Sequence, residues 1–322
     1  MPSSSLGKVL EFARPFELER ATLHPWPWRT PGRPFYLVNP LELRAGETSY
    51  ERWCELDGAG IPFRPTSDGV RYDPLTVARY ALRMHALAEA TGDLLARGRA
   101  RACAQALLAS AVPTGIWGHG SQAEGMVGTQ PFGLRQAAGI SAILRGLDTR
   151  TGAGVRQVLD RAAAPLMTPL ESGGALGTLN GEPFIQEMGR VSHNLGACID
   201  GLFALYDLAD GLGHEDAARS AQRIEEAIAR NIERYVTPWG WSWYVLDLHG
   251  HRLLSSAHYH VGFLARVQVL ALRTEQPVLV RVAERWRRAL DSWHIRLLSG
   301  AAKSVQAVWT RHVLRLPLRL DS

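Results

Sequence analysis

Cysteine is scarce in this chain. Cys54, Cys103 and Cys198 are its three cysteines in 322 residues, widely spaced, odd in number and without a C-x-x-C pair. That argues against a disulfide framework and against a cysteine-based zinc site, and it suits a reducing compartment, so a cytoplasmic protein is expected. No apolar run approaches the roughly 18 to 20 residues needed to span a bilayer, and no membrane partner is expected. The opening Met1-Pro2-Ser3-Ser4-Ser5 has neither the charged region nor the apolar block of a secretory signal. Lysine is scarce as well, so the net charge of +5 and the pI of about 9.4 come from arginine. Arginine suits two-pronged capture of carboxylate, phosphate or sulfate. The basic residues are scattered, with a mild concentration in Arg285, Arg287, Arg288, Arg311, Arg315 and Arg319. A nucleic-acid stripe would be denser and would come with a recognisable module, so no nucleic-acid partner is expected.

What the chain does have is apolar residues, 46% of the total, enough for a sizeable core. Residues 1–70 stand apart, with Pro25, Pro27, Pro31, Pro34 and Pro40 interleaved with Trp26, Trp28, Phe35 and Tyr36. Proline at that density rules out a long helix and predicts an extended arm with a short hairpin, its aromatics packed on a larger body. From Tyr72-Asp73-Pro74 the pattern is helical over residues 71–322. Asp73 suits an N-cap and Pro74 the first helical position. Helix pairs break at Gly92, Gly152, Gly213 and Thr274, roughly every sixty residues, which is the signature of a helical repeat array. The first helix of each pair is the more apolar (Ile140, Ile143, Leu144, Leu147; Ile199, Leu202, Phe203, Leu205), and the second carries more charge (Arg223, Glu225, Glu226, Arg230, Glu233). Inner buried helices inside an outer, half-solvated ring give that asymmetry. The fold expected is mainly α: an incomplete α/α toroid of helix hairpins, with linkers at one end forming a cleft.

One irregular stretch interrupts the helices. Pro238 ends one, and Trp239, Trp241 and Trp243 then alternate with small residues at strand period. A turn at His249-Gly250-His251 and a return through Leu253-Leu254-Ser255-Ser256 make a β-hairpin near 239–256. The next helix is expected from about Val261 to Arg273. This leaves Tyr244, Tyr259, His258 and His260 on a short element between long helices, the kind of place where function is carried.

Four blocks stand in order along the chain: Tyr72-Asp73-Pro74 through Tyr80-Ala81-Leu82; Gln136 with Ile140-Ser141 and Leu144-Arg145; Gln186-Glu187, Leu195 and Leu205-Tyr206-Asp207-Leu208; and Trp243-Tyr244, Tyr259-His260 and Glu284-Arg285-Trp286. From about Tyr72 to Arg288 they resemble the C-terminal catalytic domain of D-glucuronyl C5-epimerases. That family converts glucuronate to iduronate within a polysaccharide. The resemblance implies a cofactor-independent epimerase of a uronic acid or a related small product, with a small-molecule or oligosaccharide substrate.

Inverting such a centre requires removing the proton next to a carboxylate and returning one from the opposite face, so two acid–base groups must flank the carbon. The resemblance implies that Tyr259, Tyr244 and Glu187 take these parts. Gln136, Arg135, Arg190, His193, Trp243, His258 and His260 are the candidate substrate contacts. The chain departs from the family at Ala137 and Ala138, at Met188-Gly189, at Ser256-Ala257-His258 and at Phe263, where polar or aromatic family residues are replaced. Such losses suit a less hydrophilic substrate than the family's own. His258, His260 and His193 have spacing that a metal would accept, but no carboxylate-rich or cysteine context supports it, and no metal or cofactor is expected. The glycine-rich stretch from Gly115 to Gly128 holds His119 and Glu124 and reads as a lip of the cleft; it lacks a P-loop Lys-Ser/Thr. Two alternatives stay open: a lyase that begins with the same proton abstraction, and a non-catalytic carbohydrate- or peptide-binding protein of the same fold. A homodimer is the one assembly considered.

Overall fold

The computed structural model describes residues 54–66, 69–111, 115–117, 133–147, 153–187, 193–248 and 251–312. The proline-rich arm up to residue 53, most of the glycine-rich stretch, Arg190 and the hairpin turn at 249–250 lie outside the described residues. Within them the chain is mainly helical, and they fall into two compact units. One holds residues 54–187 and 197–228, the other residues 193–196 and 229–312.

The first unit opens with a three-stranded antiparallel meander, β1 (Glu55–Leu56), β2 (Pro62–Thr66) and β3 (Gly69–Arg71). Helix α1 (Pro74–Thr91) follows, with Asp73 accepting from the Thr76 N–H at 3.0 Å and Pro74 in the first turn. It stops at Gly92, whose φ of 75° is left-handed and whose N–H closes on the Ala88 carbonyl. Asp93 then caps α2 (Leu94–Ser110) through Leu95 and Ala96 N–H groups. A left-handed glycine followed at once by an acidic cap thus turns one helix into its neighbour.

Helix α3 (Gly133–Gly146) is buried from Gly133 through Ile143 and packs on α1, α2 and α4 (Ala153–Met167). A Cβ on Gly139 would lie 2.6 Å from the Trp117 ring, so that close approach depends on glycine. A two-residue turn at Asn180 (φ 55°) and Gly181 (φ 78°) joins β4 (Leu176–Leu179) to β5 (Glu182–Ile185), two positive-φ residues in the manner of tight hairpins. Helix α5 (Leu195–Leu212) is buried continuously through Leu208, whereas α6 (Glu215–Asn231) alternates buried Ala217, Ala221, Ile224 and Ile228 with exposed charges. This is the apolar-first, charged-second asymmetry expected of the helix pairs. Burial pushes the Cys103 and Cys198 thiols up to about 12, so both stay protonated near neutrality and neither is a nucleophilic thiolate.

In the second unit a 3-10 turn, Ile232–Tyr235, leads to β6 (Trp243–Leu248) and β7 (His251–Leu254). Then come α7 (Ala257–Thr274), α8 (Pro277–Asp291) and α9 (Trp293–His312), with α8 packed on both α7 and α9. Arg296 from α9 reaches the carbonyls of Leu290 and Asp291, closing the end of α8. No described helix is long and apolar enough to cross a membrane.

Candidate active site

The aromatic stretch is built differently from its sequence pattern. The strand begins only at Trp243; Trp239 and Gly240 form a turn, with Gly240 at φ 91°. Trp241 is fully buried, its indole N–H donating to the Ser255 carbonyl at 3.1 Å. The next helix starts at Ala257 rather than near Val261, because Ser256 is its N-cap and accepts from the Tyr259 N–H at 3.3 Å. Tyr259 and His260 therefore ride in the first turns of α7, not on an irregular element.

That placement brings the two tyrosines together. β6 and β7 pair as Trp243↔Leu254, Val245↔Leu253 and Leu248↔His251, with irregularities between the pairs. Trp243 sits edge-on to Trp239 at 6.4 Å, while Tyr244 meets Tyr259 with ring centroids 4.5 Å apart at 39°. Tyr259 and Phe263 lie four residues apart on one face of α7, and Tyr244 also stacks parallel to Phe263 at 6.1 Å. Both tyrosines are half-buried, and exposed His258 is edge-on to Tyr259 at 5.6 Å.

Beneath them His260 is a lock. It is fully buried and stacks on Trp241 at 3.8 Å. Its Nδ1 accepts from the Ser242 N–H (3.2 Å) and lies 2.8 Å from Ser242 Oγ, which is 2.9 Å from Ser255 Oγ. Nε2 must then carry the proton and donates it to the Trp286 carbonyl at 3.1 Å. Burial pushes the pKa of His260 down to about 3, so the ring is neutral at physiological pH. One side chain thus ties together the Ser242 position just before β6, α7 and α8, next in sequence to Tyr259. His193 is also buried; its carbonyl accepts from Tyr235 Oη (2.8 Å) and the Leu246 N–H (3.3 Å), beside the Asn194–Val245 bridge.

The candidates in the other unit are engaged differently. Gln136, expected as a substrate contact, is wholly buried: its oxygen accepts from the Trp117 N–H, and its amide donates to the Gly115 and Ala162 carbonyls. Both amide protons are thereby taken by backbone carbonyls. Arg135 is buried and reaches Asp73 at 3.0 Å, tying α3 to the cap of α1. Burial holds its pKa below the usual arginine value, and Asp73 partly offsets this. Glu187 follows β5 and is half-buried.

Sequence reasoning missed Trp241, Ser242 and Trp286 as partners of His260, and Ser255 as the partner of Ser242. The one available signal was Ser255-Ser256 immediately before an apolar run, a capping pattern that was read as strand.

Residues 133–288 match the family described as D-glucuronyl C5-epimerase C-terminus. That stretch, a little under half of the chain, resembles the C-terminal domain of that family. The shared blocks of the epimerase domain include a buried cluster: Asp207 on α5 accepts from Ser141 Oγ and from Arg145 of α3, each at 2.7 Å. Family likeness in those blocks thus resides in fold-holding contacts. Among solved structures the chain is similar to the cellobiose 2-epimerase of Bacillus thermoamylovorans, at 11% identity and a TM-score of 0.50, over 70% of this chain and 61% of that one. A UGL variant titled with dGlcA-Glc-Rha-Glc gives 14% identity and a TM-score of 0.49, over 67% and 60%. The chain spans about three fifths of each. The cellobiose 2-epimerase likeness concerns the fold, an α/α toroid. No curated protein matches the chain.

Proposed function

We propose that this epimerase-family chain is a cofactor-independent epimerase. It would invert a carbon next to a carboxylate or carbonyl, on a uronic acid or a related small product. The observation that carries the reading is the Tyr244–Tyr259 pair at 4.5 Å, half-buried on the hairpin and α7 inside the family-matched stretch. Two phenols held against each other suit proton traffic: one oxygen takes the proton released as the C–H bond breaks, and the electron pair delocalises into the neighbouring carbonyl. A second group returns a proton to the carbon. The net reaction consumes nothing and needs no oxidant. Tyr259 and Tyr244 are the proton carriers in this reading, and Glu187 keeps the acid–base role that the family resemblance gives it.

The test is incubation in deuterated water with heparosan oligosaccharides, small uronates and short peptides, followed by mass spectrometry and NMR. One deuterium is expected at the carbon beside the carbonyl, absent with Tyr259→Phe and reduced with Glu187→Gln. Exchange that survives in Tyr259→Phe excludes that tyrosine as a carrier. A new ultraviolet-absorbing product would instead identify a lyase, which eliminates the neighbouring oxygen after the same abstraction.

A further inference from the structure

A cleft of about 290 Å³ lies in the second unit, lined by Pro238, Trp239, Gly240, Arg285, Arg288 and Ile295 among others. Its walls are held in place. Trp239 donates its indole N–H to Ser299 Oγ at 3.0 Å, which fixes the plane of the ring. Arg285 donates to the carbonyls of Pro238 (3.0 Å) and Thr237 (3.3 Å), so its guanidinium is positioned by neutral acceptors alone. Arg288 bonds only the Glu284 carbonyl of its own helix, through Nε at 3.4 Å.

Neither arginine has an ion pair among the described residues, unlike Arg281 one turn earlier, which faces Glu233 at 3.6 Å. Arg285 and Arg288 are exposed and three residues apart on α8, neighbours on the helix surface. Like charges at that spacing cost a helix stability. An anion between them would reverse the sign of that interaction, and guanidinium forks fit the planar oxygens of a carboxylate or the oxygens of a sulfate. Beside that charge stand an immobilised indole face and the apolar Pro238 and Ile295. A flat C–H-rich ring bearing one anionic group matches such a wall: few polar anchors, one aromatic platform.

We propose that this cleft binds an anionic sugar residue, with its carboxylate or sulfate on Arg285 and Arg288 and its ring face against Trp239. It would be a saccharide contact additional to the chemistry proposed for the Tyr244–Tyr259 pair. The cleft stands on its own geometry; the choice of a uronate as probe rests on the proposed function.

The experiment is calorimetric titration of the full chain with methyl glucuronide, methyl glucoside and sodium sulfate. It is run on the wild type, Arg288→Glu, Arg285→Ala and Trp239→Phe, with circular dichroism as the folding check. Methyl glucuronide should bind at least tenfold more tightly than methyl glucoside, compete with sulfate and lose at least tenfold in affinity in folded Arg288→Glu. Equal binding of the neutral glycoside, unchanged affinity in Arg288→Glu, or no binding by any probe would overturn the proposal. Sulfate binding that methyl glucuronide does not displace would leave a bare anion site and overturn the sugar assignment. Deuterium exchange on small uronates is followed alongside in each protein. Exchange absent from every protein, with the titrations as expected, would instead count against the tyrosine chemistry.

Discussion

The cluster around Asp207 and the face carrying Tyr244 and Tyr259 differ in what their side chains are doing. In the first unit, residues that look chemically capable are joined to one another. Arg145 and Asp207 form a pair with side chains 4% and 0% exposed, Ser141 completes it, and Gln136 gives its amide to backbone partners. In the second, the fixed polar network lies underneath, in His260 with Ser242 and Trp286, while two half-buried phenols sit above it on aromatic neighbours. Buried polar groups have to be satisfied, and once satisfied by protein they have little left for a ligand. Half-buried phenols beside rings keep a face that a substrate can reach. Likeness to a family is therefore carried by both regions, and the proposed chemistry falls on the second.

The sharpest way to break that comparison is Asp207→Ala. It leaves a buried guanidinium without its carboxylate, and a loss of about 3 to 5 kcal/mol is expected in urea denaturation. A loss below about 1 kcal/mol would mean the cluster is not structural. Gln136→Leu removes three hydrogen bonds and should cost about 1 to 3 kcal/mol. If Gln136 were a substrate contact instead, deuterium exchange would fall while stability held.

His260 gives a pH signature. Its pKa is near 3 in the fold and about 6.5 when unfolded, so between those values the unfolded chain binds more protons. Stability should be level above pH 6.5 and fall on acidification below it, by at most about 1.4 kcal/mol per pH unit from this residue. His260→Asn should be less stable at neutrality, with a flatter profile between pH 6 and 4; an unchanged slope would mean His260 is not the buried neutral base. The smallest effect on stability, within about 1 kcal/mol, is expected for Tyr259→Phe, a half-buried loss of one hydroxyl. A much larger cost would place that hydroxyl among the structural bonds and undo the contrast between the two regions.

Much of the architecture was legible because helix punctuation is local. Asp73-Pro74, Gly92-Asp93 and Pro277 each act within one turn of their own position, and the starts and stops they mark match the helices found. The alternation of apolar and charged helices was readable for the same reason, since burial follows a 3.6-residue period. The start of α7 was misread because Ser255-Ser256 suits either a strand end or an N-cap; tertiary contact of Ser255 with Trp241 and Ser242 decides it.

The sequence by itself determined a mainly helical chain of paired helices, interrupted by one aromatic hairpin and bearing the blocks of an epimerase family. Only the tertiary structure decided which polar residues are consumed. Gln136 and His260 are both plausible site residues on chemistry alone. Both are held by partners, Trp117 and Ala162 for one and Ser242 and Trp286 for the other, that lie 18 to 26 residues away in sequence. Nor does spacing announce that Tyr244 and Tyr259, fifteen positions apart, meet ring to ring. That follows from a strand register and a helix cap acting together, which fix the two rings only once the hairpin has docked on α7.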